Sequence, residues 1–348
     1  VDLDEDPPTP VDGVSIVPTR TFEGLDAAGR PFDRVVTFMG NSTFHVEALD
    51  VVKRVGGTVL LHDARLTGLY GEVQRLHPKR LVRRSVGRTV GDVYPDRYRE
   101  LIQAQDVVPP DLAYLSGVHL LAEVVVAAHQ VLVHSRYAAD LTELDTGVRP
   151  DVVFPIPSAR PRPRAPQVDV DHVVSVGIVS PTKGAELLVD AAAALRRRVP
   201  GARLTFVGGV TDEYRDELLA RAEAAGAGGA VALTGHVPAE EYEAILSRAT
   251  CAVQLRAFTN GESSAAVMDA LSAGLPTVVT DLGAMAELPE GTTVPVRAGA
   301  GADEVAEVLA ELLADGPRRA ALAVAAQAHA AANTYEAAAR RLLAALDL

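Results

Sequence analysis

From Asp171 to about Asp315 the chain repeats one theme: a short valine-rich run, a glycine-containing turn, then a helical apolar stripe. Val173–Gly184 (VVSVGIVSPTKG) opens it as a buried strand and loop. A helix follows from Ala185 to Arg198, with Leu187, Leu188, Ala191 and Leu195 on one face. Strands that alternate with helices argue for parallel pairing through crossover helices, since a tight turn joins only antiparallel neighbours. The first half carries the theme more sparsely. Strands are expected at Asp33–Met39, Thr58–Leu61, Gln130–Val133 and Val152–Phe154, with helices at Thr43–Val55 and Ser116–Ala128. Between the halves lies Pro155–Gln167 (PIPSARPRPRAPQ), whose prolines forbid a helix and favour an extended linker. The end, Pro317–Leu348, reads as alanine-rich helices.

At 348 residues the expectation is two domains, and an apolar fraction of 48% is ample for two cores. Aromatics are only 4%, so those cores must be built from Val, Leu and Ala. A formal charge of −13 argues against general nucleic-acid binding. The single cysteine, Cys251, allows no internal disulfide and points to a reducing compartment; in ATCAVQL it reads as a small buried hydrophobe. The longest apolar run, Leu120–Ala128, is interrupted by Glu123 and is too short to span a bilayer. The acidic opening VDLDEDPPTP does not read as a signal peptide.

Gln254–Thr280 (QLRAFTNGESSAAVMDALSAGLPTVVT) holds the densest chemistry. It reads as a strand end, a glycine-containing loop, a short helix, a tight turn and another strand. Glu262, Ser263 and Ser264 stand where the helix begins, and Gly274 and Pro276 where it stops. The unpaired N–H groups and positive dipole end of such a helix suit a phosphate. Glu262 and Asp269 are expected near one face, about 10 Å apart along the axis. There they would accept hydrogen bonds from sugar hydroxyls; the alternative is a pair of solvated acids.

This pattern resembles the donor-site signature of retaining glycosyltransferases of the GT-B fold, family 4. Asp269, Ala270, Gly274 and Pro276 match its second half, and eight residues before Asp269 lies Gly261, with the acid one place later at Glu262. The resemblance implies that Asp269 holds the ribose and Glu262 the donor sugar. It implies that Lys183-Gly184, after Gly177, grips the donor diphosphate. The arginine usual in that loop is replaced by Ile178, and Arg256 is the candidate to supply its charge. Arg203–Gly209 (RLTFVGG), with Gly208, and Val231–Val237 (VALTGHV), with His236, resemble the strand ends that meet the nucleotide. Thr280–Gly283 and Glu287 resemble the loop after the fifth strand. The likeness covers Asp171–Leu348 well.

The expected fold class is α/β, GT-B: two Rossmann-like domains with parallel sheets facing across a cleft. Residues 1–160 would form the acceptor side, either beginning before Val1 or lacking the first β-α unit, since no glycine-rich loop is found there. Residues 168–330 would bind the nucleotide sugar, and the helix in 331–348 would pack back on the first domain. His62, after Val59–Leu61, is the candidate N-domain catalytic residue beside Lys183 and Glu262. The alternative for His62 is a loop histidine satisfied by a neighbouring carbonyl. Asn41, His45 and Asp63 are candidate acceptor contacts, and Val131–Arg136 resembles the family strand that ends in serine near the cleft.

Arg75–Arg99 sets eight basic residues against Asp92 and Asp96. It reads as a docking surface for an anionic acceptor or an anionic membrane face, with a solvated loop as the alternative. The expected setting is cytoplasmic, peripheral to the inner face of the membrane. No G-x-x-x-x-G-K-[ST], G-x-G-x-x-G or zinc-spaced Cys/His set occurs, and no D-x-D points to the metal-dependent GT-A class, so the expectation is an enzyme without cofactor or metal. The reaction expected is sugar transfer from a nucleotide diphosphate sugar to a hydroxyl acceptor. The alternatives are a non-catalytic scaffold that binds a sugar nucleotide or partner, and a phosphorylase using orthophosphate.

Overall fold

The computed structural model describes residues 12–13, 32–76, 94 and 117–348. Apart from positions 75, 76 and 94, the basic stretch 75–99 lies outside them. The chain divides into two compact units. The first comprises the described residues of Val1–Phe154 with Asn260–Glu262 and Ala344–Leu348; the second comprises Pro155–Thr259 and Ser263–Leu343.

The first unit holds a four-stranded sheet of order β1-β2-β3-β4: Val36–Met39, Thr58–Leu61, Gln130–Val133 and Val152–Val153. All pairings are parallel, with Leu61 opposite Val133. Helices α1 (Val46–Val55), α2 (Thr67–Leu76), α3 (Ala122–Ala127) and α4 (Arg136–Thr146) accompany it. Met39, Val59, Leu61, Val131 and Val133 bury one face against Leu49 and Val52 of α1 and Val124 of α3. Two helix expectations need correction. Thr43–His45 is a 3-10 turn, and α1 begins only at Val46. The helix before β3 begins at Ala122, because Leu120 takes a left-handed φ of 60° that no α-helix continues through. Leu120 is nonetheless fully buried, so packing holds the kink.

The second unit is doubly wound. Its six strands are β5 (His172–Val176), β6 (Arg203–Val207), β7 (Val231–Leu233), β8 (Cys251–Gln254), β9 (Thr277–Asp281) and β10 (Val294–Arg297). They run parallel in the order β10-β9-β8-β5-β6-β7. The helices are α5 (Ala185–Arg198), α6 (Asp212–Ala224), α7 (Ala239–Arg248), α8 (Ala265–Ser272), α9 (Ala302–Ala314), α10 (Gly316–Ala332) and α11 (Tyr335–Ala345). Successive strand residues point to opposite faces, so valine runs serve two cores at once. Val173, Phe206 and Val253 pack with Leu188 of α5 and Leu309 of α9. Val174, Val207 and Ala252 pack with Leu246 of α7 and Ala270 of α8. Cys251 is fully buried, and that burial pushes its thiol up to about 12, as suits a small core hydrophobe.

Candidate functional site

In the second unit the strand order reverses between β5 and β8. In open α/β sheets the crevice outside the carboxyl ends of the strands, at this reversal, is where ligands bind. The sequence builds the crevice from glycines. Gly177 follows β5 at φ 94°, and Gly208 follows β6 at φ 150°. The Gly177 N–H donates to Val207 O at 2.9 Å, and the Gly208 N–H donates to Gly235 O at 3.0 Å. Across the reversal the Ala257 N–H donates to Thr182 O at 3.0 Å, which fixes the β5 and β8 loops to each other.

Lys183 ends a 3-10 turn, Pro181–Lys183, and Gly184 at φ 63° turns the chain into α5. Lys183 thus stands just before a helix, as expected. Its ammonium lies against Gly177: a Cβ there would sit 2.9 Å from Lys183 Nζ and 3.6 Å from the Ala266 Cβ. Gly177 therefore lies between a cation and the first turn of α8. Ser264 is the N-cap of α8, its hydroxyl accepting from the Val267 N–H at 3.4 Å, while the earlier N–H groups have no partner within the helix. An ammonium, a helix N-terminus and a side-chain-free backbone edge together form a cradle whose chemistry suits an anion. Ser264→Ala is expected to lower stability by about 1 kcal/mol, read from urea unfolding.

Asp269 lies in α8, about 7.5 Å along the axis from the cap. Tyr242 of α7 donates its hydroxyl to Asp269 Oδ2 at 3.0 Å, and Oδ1 has no hydrogen bond among the described residues. Burial raises the Asp269 carboxyl above its ordinary range, against the opposing effects of Tyr242 and Arg162. A raised folded-state value means that ionised Asp269 costs stability. That cost is absent below the ordinary carboxylate range and grows as pH rises through it. Asp269→Asn is therefore expected to leave thermal stability at pH 7 equal or higher, with the difference vanishing in acid, while nucleoside binding weakens. Melting curves across pH together with nucleotide titration check both halves.

Arg256 shares a cavity with Pro181 and Gly184, which bracket the Lys183 turn. Arg297, Glu186 and Thr280 also line this cavity, of about 380 Å³, beside β8, β9 and β10. Ile178, where the family pattern has arginine, is 69% exposed, and His236 is exposed after β7.

Glu262 requires a correction. It is not on the helix: α8 begins at Ala265, and Glu262 lies in a loop that groups with the first unit. The expectation that it shares a helix face with Asp269 fails for that reason. Its carboxylate instead accepts from the Asn260 N–H at 2.6 Å, folding the loop on itself. Gly261, at φ 84°, makes this turn, and a Cβ there would lie 2.6 Å from the Ala64 Cβ. Ser263, next in the chain, is half-buried and precedes the cap.

In the first unit His62 and His134 immediately follow β2 and β3, whose register puts them side by side. Their rings are 5.0 Å apart and nearly parallel, with His134 Nε2 3.0 Å from His62 Nδ1. His134 Nδ1 lies 3.2 Å from Phe154 O, and Phe38 stacks on the other side of His62 at 5.7 Å. Burial lowers both histidines, His134 to about 4, so both are neutral at pH 7. His45, also lowered by burial, donates Nδ1–H to Phe38 O at 3.2 Å. The Asn41 N–H donates to Asp63 Oδ2 at 2.8 Å, and Asn41 Oδ1 accepts from the Leu69 N–H at 2.9 Å. Asn41 and Asp63 thus brace the loops, while His45, His62 and His134 gather at one sheet edge. Among the described residues no group of three or more His, Cys, Asp or Glu could hold a metal ion.

His134, Tyr242 and Phe38 were not singled out by the sequence. The sequence does place a histidine directly after each of β2 and β3, but only the register of the two strands sets the rings side by side.

Residues 161–329 match the family model described as Glycosyl transferases group 1. A GDP-mannose-dependent alpha-(1-6)-phosphatidylinositol monomannoside mannosyltransferase of Mycolicibacterium smegmatis is 32% identical over 196 residues, covering 54% of this chain and 51% of its own. The Mycobacterium tuberculosis protein of the same description is 32% identical, with 54% and 50% covered. The chain spans about half the length of these curated relatives. Among solved structures, sucrose-phosphate synthase from Thermosynechococcus elongatus gives a TM-score of 0.61 at 18% identity, over 94% of this chain and 77% of its own. The Anabaena protein HepE, in complex with UDP and glucose, gives 0.57 at 17% identity, over 90% and 98%. The fold is the GT-B fold of glycosyltransferases expected from the sequence.

Proposed function

We propose that this chain, whose residues 161–329 match the glycosyl transferases group 1 family model, moves a sugar from a nucleoside diphosphate sugar to a hydroxyl acceptor. The observation that carries this is the cradle in the second unit. Lys183 Nζ, Gly177 and the first turn of α8 meet at the strand-order reversal, and a half-buried carboxylate, Asp269, lies farther along the same helix. A nucleoside diphosphate offers both features a partner: phosphate oxygens for the ammonium and N–H groups, ribose hydroxyls for Asp269 Oδ1. During transfer, charge builds on the departing diphosphate, and fixed donors already aimed there lower the barrier. We take the transfer to retain configuration, with a diphosphate oxygen accepting the proton of the attacking hydroxyl, as the family resemblance implies. The anomeric form of the product, read by NMR, tests this. Because the mycobacterial relatives are named for GDP-mannose, that is the first donor to try. Their named acceptor is a phosphatidylinositol monomannoside, which makes a lipid-borne sugar hydroxyl the first acceptor class.

A non-catalytic reading is favoured by two observations. Exposed Ile178 stands where the resembling family has a phosphate-binding arginine, and Glu262 is engaged by its own loop. The two readings part in one experiment: incubation with GDP-mannose and other nucleotide sugars, with and without glycolipid acceptors, measuring nucleotide release. Acceptor-dependent release is expected. Binding without release from any donor would favour the non-catalytic reading.

A further inference from the structure

The Phe154 carbonyl can only accept, so the nitrogen facing it, His134 Nδ1 at 3.2 Å, carries the proton. His134 Nε2 is then a lone pair in the neutral ring. It lies 3.0 Å from His62 Nδ1, which must be the donor. The chain of bonds therefore runs from His62 Nδ1–H to His134 Nε2, and from His134 Nδ1–H to Phe154 O. Neutral His62 is left with its lone pair on Nε2, and among the described residues that atom has no hydrogen-bond partner. The stacked Phe38 and nearly parallel His134 rings fix the plane in which the lone pair lies.

We propose that His134 is a positioning residue. It holds His62 as the tautomer protonated on Nδ1, so that Nε2 meets its ligand as an acceptor only and selects a sugar hydroxyl over a phosphate oxygen. The hydroxyl is a donor for that lone pair; the diphosphate of a sugar nucleotide, fully ionised at neutral pH, has no proton to give and repels it. His45 extends the same chemistry, since its Nδ1 is committed to Phe38 O and its Nε2 lies beside Gly40 and the Asp63 carboxylate. Among the described residues His45 and His134 are the titratable groups whose rings face His62, and Asp63, next in the chain, accepts from the Asn41 N–H. A bonded partner setting the tautomer of a working imidazole is the same device by which outer groups orient metal-bound histidines. The identity of the hydroxyl rests on the sugar-transfer reading; the tautomer does not.

The test is nitrogen NMR on the full chain labelled with 15N-histidine, with His62 assigned through His62→Gln. The expected result is a His62 ring protonated on Nδ1 and bare on Nε2. In His134→Phe, which keeps a ring and loses both nitrogens, the proton should move in large part to Nε2. In His134→Gln, whose amide can accept from His62 and donate to Phe154 O, it should stay on Nδ1. A wild-type His62 protonated on Nε2, or one unmoved by His134→Phe, would overturn the proposal. In the transfer assay His134→Phe should lower kcat about 10-fold, as for one lost hydrogen bond. His134→Gln should restore it, and free nucleoside diphosphate should bind all three proteins equally. If no nucleotide sugar binds the wild type, the sugar-transfer reading falls, and the tautomer measurement on the free protein still decides the role of His134.

Discussion

Replacing Lys183 with alanine is expected to weaken nucleoside diphosphate binding about 10- to 100-fold. A hydrogen bond to a charged group contributes about 1.5–3 kcal/mol, and each 1.4 kcal/mol is tenfold in affinity. The ammonium beside Gly177 lies near the first turn of α8, and its removal takes one cation from the group that would hold the anion. Lys183 is only half-buried, on a 3-10 turn rather than in a core, so unfolding should change by no more than about 0.5 kcal/mol. Calorimetric titration and urea unfolding of the same two proteins separate the effects. Equal affinity for both would remove Lys183 from the site.

Gly208→Ala is expected to have the largest effect on stability, about 2–6 kcal/mol. At φ 150° the backbone lies where side chains are strained by about 1–3 kcal/mol. A Cβ there would also come closer than 3.0 Å to the Gly177 carbonyl oxygen, and forcing atoms into such a packed spot costs about 1–3 kcal/mol more. The obstacle is backbone, not the end of a flexible side chain, so relief requires parting the ends of β5 and β6. Those strands pair along their whole length and end in the loops that shape the cradle. Nucleotide affinity should therefore fall along with the unfolding midpoint. Guanidinium unfolding that shows no loss would mean that the two glycines do not hold this close approach.

The second unit was legible because its period switches cleanly. Val173–Val176 alternates between two cores, and the helix Ala185–Arg198 runs between the residues its apolar face and flanking glycine mark. The anion cradle was legible for the same reason, since helix start, glycine and lysine are local signals. What escaped the sequence was tertiary. The left-handed Leu120 is held by burial, not by its own preference, so helical periodicity placed the start of α3 too early. Glu262 looks helical in the sequence because it stands with Ser263 and Ser264 just before the apolar stripe; only Ser264 caps, and Gly261 turns the chain before it. The bond between His62 and His134 spans 72 positions in sequence and becomes visible only with the register of β2 and β3.

On the proposed function, the second unit grips a nucleoside diphosphate sugar between the Lys183 loop and α8. Calorimetric titration of the wild-type chain with GDP-mannose, GDP and UDP tests it most directly, with Lys183→Ala and Asp269→Asn alongside. One nucleoside diphosphate is expected to bind at one site per chain, more weakly in both variants and without loss of fold in either. A folded wild-type protein that binds none of the three, or binding that neither substitution disturbs, would contradict it.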